Sequence, residues 1–211
     1  MTYAELIARL QTWVESTETD MVANLDTIIE YAELRVYKTV DLNEARLTSS
    51  VTLTPSDPEV TLPSGLVTIR TVTLDVSGAL TLLEQKEVSF LDDYTGARTV
   101  EGTPRYYAWL DDSTILLAPA PDAADDVQIA HTIRPTQLSS SETTTWLSLN
   151  ASDVLMYSCL IELATFLKQE ADMVQAYQAK YQEAVKTLLL EENYRNRTDR
   201  NREGEIRVQL P

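Results

Sequence analysis

The chain has 211 residues, with 33 acidic against 17 basic side chains and a formal net charge of −16, which opposes adhesion to a phosphate backbone or an anionic membrane. Hydrophobic residues at 44% and charged residues at 24% lie near ordinary globular usage and exclude a wholly disordered or fibrous chain. The single cysteine, Cys159, excludes an internal disulfide framework, and no run reaches the ~18 consecutive apolar residues of a membrane span.

Thr2-Tyr3-Ala4-Glu5 fits a capping box, and Leu6, Ile7, Leu10, Trp13 and Val14 follow at helical spacing. Glu5 and Arg9 leave no secretory h-region there, so the chain is expected to stay in the cytoplasm. Ser16 to Asp20 should end this helix. A second is predicted over residues 22–40, its stripe formed by Leu25, Ile28, Ile29, Ala32 and Val36. From Arg46 to about Ser141 the pattern changes to short Thr-rich and Val-rich runs punctuated by Pro and Gly, which predicts a β module of about five to eight strands. Val127, Ile129, His131 and Ile133 alternate with Gln128, Ala130 and Thr132, the mark of a strand with one buried face. Between Val67 and Leu74 the apolar phase switches, which in a continuous strand requires a β-bulge, expected near Arg70. Residues 86–94 do not alternate and suit a short helix on the module's edge.

Helical spacing returns after the polar stretch Thr136 to Thr145. Asn150 or Ser152 can cap a helix with the stripe Leu155, Met156, Cys159, Leu160, Leu163, Ala164 and Leu167. A last helix from Glu170 or Ala171 carries Val174, Tyr177, Tyr181, Ala184, Val185 and Leu188. Two helices before the β module and two after it each expose an apolar face. The predicted class is therefore α+β: a discontinuous four-helix bundle (1–45 and 143–192) with an inserted antiparallel β-sandwich or barrel-like module (46–142) and an extended C-terminal tail (193–211).

Catalytic machinery is hard to assemble from these residues. One histidine cannot make a multi-His metal site, and His131 sits on the apolar face of a strand, where a hydrogen-bonded core role is favoured. Five glycines form no phosphate-binding loop. Cys159 lies within a helical stripe and reads as a buried structural thiol. The pairs Asp92-Asp93, Asp111-Asp112 and Asp125-Asp126 fall at predicted turns, where Asp serves the backbone. No catalytic residue, metal ligand or cofactor is assigned. Tyr106, Tyr107 and Trp109 share a strand, with Tyr106 and Ala108 facing opposite to Tyr107 and Trp109. That division suits a core plus an interface.

Residues 193–211 hold five arginines against three carboxylates, a net of +2 that leaves −18 for the rest. Arg195, Arg197, Arg200, Arg202 and Arg207 can make bidentate carboxylate contacts, while Ile206, Val208 and Leu210 alternate with Arg207 and Gln209 in a strand-like pattern. A basic tail on an acidic body is a reason to look for a separate docking partner, with a frayed, solvated terminus as the other reading of the same segment.

Three stretches together resemble the head-to-tail adaptor proteins of tailed phages, the group that includes the tail tubular protein A of podoviruses. Ile28 to Leu42, with Ala32-Glu33-Leu34-Arg35-Val36, is similar to that family's A-E-x-R-[IV] helix end. Gly102-Thr103-Pro104-Arg105-Tyr106 and Leu117-Ala118-Pro119-Ala120-Pro121-Asp122 resemble its G-x-P-x-Y and L-x-P-x-P-D elements. Trp146-Leu147 then leads into Leu155-Met156-Tyr157, Glu162 to Lys168 and a Tyr-rich last helix. Thr39 and His131 depart from it, standing where a basic and an aromatic residue are usual. The resemblance implies a dodecameric ring beneath the portal protein, at the neck of a virion assembled in the host cytoplasm. Such a ring closes the filled head, meets a tail or nozzle protein, and passes double-stranded DNA without sequence-specific binding. On that reading the arginine tail docks on the portal. A carbohydrate-binding or other ligand-binding β module carried on helices, motivated by Tyr107, Trp109 and the acidic turns, is the alternative. A carboxylate hydrolase and DNA binding through the tail have weaker support.

Overall fold

A reciprocal cap starts the first helix, α1 (Tyr3–Val14): the Thr2 hydroxyl accepts from the Glu5 N–H and the Glu5 carboxylate accepts from the Thr2 N–H. The helix stops at Glu15, whose φ of +51° is left-handed. The computed structural model describes residues 1–15 and 19–196. It divides into two compact units, residues 1–43 with those from 136 onward, and residues 44–135.

In the helical unit, α2 (Thr19–Thr39) starts earlier than its apolar stripe predicts, so that Thr19 and Asp20 form its first turn instead of ending α1. Met21, Leu25, Ile28, Ile29, Ala32 and Val36 are buried along one face. A short helix, α3 (Val88–Thr95), belongs to the other unit. Thr145 and Ser148 then make a second reciprocal cap, opening α4 (Trp146–Asn150), a five-residue helix that periodicity cannot detect. The next helix, α5 (Ser152–Phe166), is N-capped by Ala151, not by Asn150 or Ser152. Helix α6 (Ala171–Asn196) buries Tyr177, Tyr181, Ala184, Val185 and Leu188 at helical spacing. Its last turn takes in residues 193–196, which the sequence assigns to the tail. Among the described residues five helices thus build this unit where four are expected, and α5 packs against α1, α2, α4 and α6.

Polar groups fasten this core at chosen points. The Tyr3 hydroxyl donates to the Asp26 carboxylate, joining α1 to α2; burial, then that carboxylate, pushes the Tyr3 pKa up to about 12. An ion pair between Arg35 and Glu162 links α2 to α5. Ser158 donates its hydroxyl to the Ala32 carbonyl at 2.9 Å, satisfying a hydroxyl in an otherwise apolar interface. Glu33 is buried at 1% exposure and accepts the Leu138 N–H at 3.0 Å. Leu138 is itself buried in the helical core, so residues read with the β module pack with the helices.

The second unit holds β1 (Arg46–Thr52), β2 (Glu59–Thr61), β3 (Leu66–Val76), β4 (Ala79–Gln85), β5 (Tyr106–Asp111), β6 (Thr114–Ala118) and β7 (Asp126–Ile133). They join into one seven-stranded sheet in the order β1-β7-β3-β4-β5-β6-β2. Every pairing is antiparallel except β4 with β5, which is parallel. The expected all-antiparallel module is therefore corrected to a mixed sheet. Its cause is the connection: α3 and the loop after it carry the chain back before β5 starts, as a parallel pair requires. Buried residues from β2 through β7 form one cluster, including Val60, Val72, Leu83, Tyr107, Leu117 and Ile129. A sheet whose two ends share one core must curl.

The bulge falls where the phase switch predicts. The β3–β7 register slips between Ile69 and Thr71, making Arg70 the extra residue, and again between Leu66 and Thr68. Each slip brings the next apolar residue back inward, so Ile69, Val72 and Leu74 are all buried despite their odd spacing.

Burial raises the Glu33 carboxyl above its ordinary 4.5, and the hydrogen bonds from Leu138 and Thr145 only partly oppose this. A carboxyl raised on folding favours the folded state most below its unfolded pKa, and that contribution is lost as pH rises through the folded value. Glu33→Gln keeps an acceptor for Leu138 and removes the charge. Urea unfolding of wild type and Glu33→Gln at pH 5 and pH 8 should show the variant gaining stability relative to wild type at the higher pH.

Candidate interaction surfaces

Strand β5 is buried on both faces, and the size of its side chains explains how. Tyr107 points into the main core of the sheet, where its hydroxyl donates to the Gln85 side-chain oxygen at 3.4 Å, and Trp109 packs on the same side. On the other face Ala108 lies with Leu116 and Ala118 of β6 beneath Leu91 of α3. Alanines at two of those positions let the helix approach closely. The helix ends at Gly96, whose φ of +70° and N–H bond to the Asp92 carbonyl make a left-handed cap.

Tyr106 shares the α3 face and meets two aromatic rings there. Phe90 and Tyr94, one helical turn apart, stack at 6.1 Å and 10°. Tyr106 stands edge-on to both, at 5.3 Å from Phe90 and 4.9 Å from Tyr94. The Lys86 ammonium lies 5.6 Å from the Phe90 centroid and 5.7 Å from that of Tyr106 and pairs with Glu84 at 3.0 Å. Phe90 and Tyr94 remain 41% and 46% exposed. A rigid apolar patch edged by hydroxyls and one cation is the composition enriched at protein interfaces. Phe90 and Tyr94 fall in the short helix expected over residues 86–94, and their i, i+4 spacing sets them on one face of it.

The helical unit offers a different surface. Arg35 and Thr39 of α2 with Tyr181, Val185, Lys186 and Leu189 of α6 line an open groove of about 600 Å³. It combines an apolar floor with two cations on a strongly acidic chain.

The other residues singled out by sequence have structural roles. His131 is buried in β7 and its Nδ1 donates to the Ile129 carbonyl at 2.9 Å. Cys159 is fully buried, and burial raises its thiol pKa. Asp92 holds Arg98 through both carboxylate oxygens, at 2.7 and 3.0 Å, and that guanidinium lowers the Asp92 pKa. Asp111 accepts from the Ser113 N–H at 2.7 Å and from its hydroxyl at 2.9 Å in the β5–β6 turn, which lowers its pKa. Asp126 accepts from the Thr52 hydroxyl at 2.6 Å. Of the tail residues, Arg195 falls in the last turn of α6, its side chain outside the described residues. Arg197, Arg200, Arg202, Ile206, Arg207, Val208 and Leu210 also lie outside them. Among the described residues no helix is long and apolar enough to cross a membrane.

Compared with protein families, the chain matches the SU10 adaptor protein family over residues 1–208. No curated protein matches it significantly.

The two aromatic environments differ in what their removal costs. Tyr107→Ala should lower unfolding stability by about 3–5 kcal/mol, as expected for a large aromatic lost from a core. Phe90→Ala and Tyr94→Ala should each cost less, about 1–3 kcal/mol, because each half-exposed ring gives up two aromatic contacts of about 0.5–1.5 kcal/mol. Urea titrations of the three variants check the contrast.

Proposed function

We infer the role of this chain from its family: it belongs to the SU10 adaptor protein family, a family of phage head-to-tail adaptors, and we propose that it forms a dodecameric ring seated beneath the portal. The ring closes the filled head, presents a surface to the tail or nozzle protein and leaves a passage for DNA. Its place is the virion neck and its role is structural. The observation that carries this reading is the family match across nearly the whole chain, with the charge distribution as its physical support. A body at −18 over residues 1–192 repels a polyanion in transit and so suits a conduit better than a DNA-binding site.

The arginine-bearing tail supplies contact to the portal. Arg195, Arg197, Arg200, Arg202 and Arg207 pair with carboxylates there, and Ile206, Val208 and Leu210 anchor the segment by their apolar side chains. The ligand-binding alternative loses one of its two aromatic supports, because Tyr107 is only 4% exposed.

Mixing the protein with its cognate portal should give a saturable rise in particle mass, read by mass photometry, near twelve times the 23.7 kDa chain. Truncation after Asn196 keeps α6 whole and should abolish portal docking while leaving thermal unfolding unchanged. A truncated protein that still occupies portals fully would remove the tail from the interface.

A further inference from the structure

Strands β3 and β4 are joined by Ser77 and Gly78, with φ of +52° and +89°. This two-residue turn makes Val76 and Ala79 a hydrogen-bonded pair, and Leu74 with Thr81 and Val72 with Leu83 follow in alternation. The backbone N–H and C=O of Leu80 and Leu82 therefore point away from β3. Their direction agrees with the next residues along the strand, where the Glu84 N–H donates to the Arg105 carbonyl at 3.1 Å and the Lys86 N–H to that of Tyr107 at 2.8 Å. Strand β5, however, pairs with β4 only at Glu84 and Gln85. Beside Leu80 and Leu82 no strand lies among the described residues, and their side chains are 61% and 62% exposed.

A matching edge lies at the end of the same sheet. Among the described residues, strand β1 pairs on one side alone, with β7. The Leu53 N–H donates to the Asp125 carbonyl, so by the same alternation Val51, Ser49 and Leu47 are bonded to β7. Thr48, Ser50 and Thr52 direct their backbone groups outward. Exposed edges are ordinarily protected by lysine, proline, inward charge or extreme shortness. Neither Leu47 to Thr52 nor Ala79 to Leu83 contains a charged residue or a proline. In a chain of −16, these are strips along which two copies can approach without bringing like charges together.

We propose that β4 of one copy pairs along residues 79–83 with β1 of the next copy, so that the sheet continues from subunit to subunit. The proposal rests on the ring inferred above. Two different edges meeting head to tail form a heterologous contact, the type that closes a ring when the rotation between copies allows. Each such contact occupies one edge and leaves the partner edge open for the following copy.

The test uses the full chain assembled on its portal. Ser50→Cys with Leu82→Cys in one chain should give a ladder of covalent multimers with a short bis-maleimide, and either single variant should give none, since Cys159 is buried. Ser50→Asp and Leu82→Asp should each reduce the fraction of chains in rings, and Ser50→Lys combined with Leu82→Asp should restore it. Rings of full mass that give no ladder and tolerate Leu82→Asp would overturn the edge pairing and leave the ring standing. Wild-type chains that remain monomeric beside the portal would overturn the ring, and the pairing with it.

Discussion

Between Val154 and Ala164, helix α5 has no face turned wholly to water. Val154, Leu155, Met156, Ser158, Cys159, Leu160, Ile161, Leu163 and Ala164 are buried around its whole circumference, and a helix of this length is marginal without tertiary cover. That cover comes from α1 and α2 on one side of the sequence and from α6 on the other. The helical core therefore joins segments from both sides of the β insertion, residues 1–43 and those from 136 onward. Two polar groups admitted to this interface have assigned partners: Ser158 has the Ala32 carbonyl, and Glu33 holds the returning segment at Leu138. Removing either partner would leave a buried polar atom unsatisfied, which costs more than the hydrogen bond contributes when made.

Much of this was legible because it depends on periodicity. The capping box at Thr2 and the stripes of α2 and α6 identify helices by side-chain spacing, and the phase switch between Ile69 and Val72 locates the bulge at Arg70. What escaped depends on backbone geometry or on length. Helix α4 has five residues, too few for a period to show. The parallel pairing of β4 with β5 is set by where α3 returns the chain, and nothing in Glu84-Gln85 or Tyr106-Tyr107 encodes strand direction. Tyr177, Tyr181 and Val185 read equally well as a bundle stripe with three neighbours or four, so the number of helices around α5 was not available from them.

The surfaces were less legible than the core, for a related reason. Alternation divides Tyr106 from Tyr107 correctly, because facing is a local property of a strand. It cannot show that Tyr106 meets Phe90 and Tyr94, since that contact needs α3 to lie across β5, and the small residues Ala108 and Ala118 that permit it look unremarkable in a strand. The acidic pairs illustrate the converse. Asp92, Asp111 and Asp126 look like candidate chemistry as a list, yet each is committed to an arginine, a turn or a neighbouring threonine.

Charge then constrains how such a chain can meet copies of itself. Exposed charges farther apart than about 8–10 Å are screened at physiological salt, so the distant part of the −16 is tolerable and the charges at closest approach decide. An assembling surface on this protein must either pair its carboxylates with cations or have none. The sheet edges take the second course, with eleven uncharged residues along Leu47 to Thr52 and Ala79 to Leu83, and the backbone groups of Leu80 and Leu82 supply directional bonds that salt does not screen. The groove between α2 and α6 takes the first, pairing Arg35 with Glu162 and adding Lys186 beside Tyr181 and Leu189. Self-association through the edges would consequently depend weakly on ionic strength, whereas a partner received in the groove would be released as salt rises, which makes the salt dependence of each contact a physical signature of the surface that forms it.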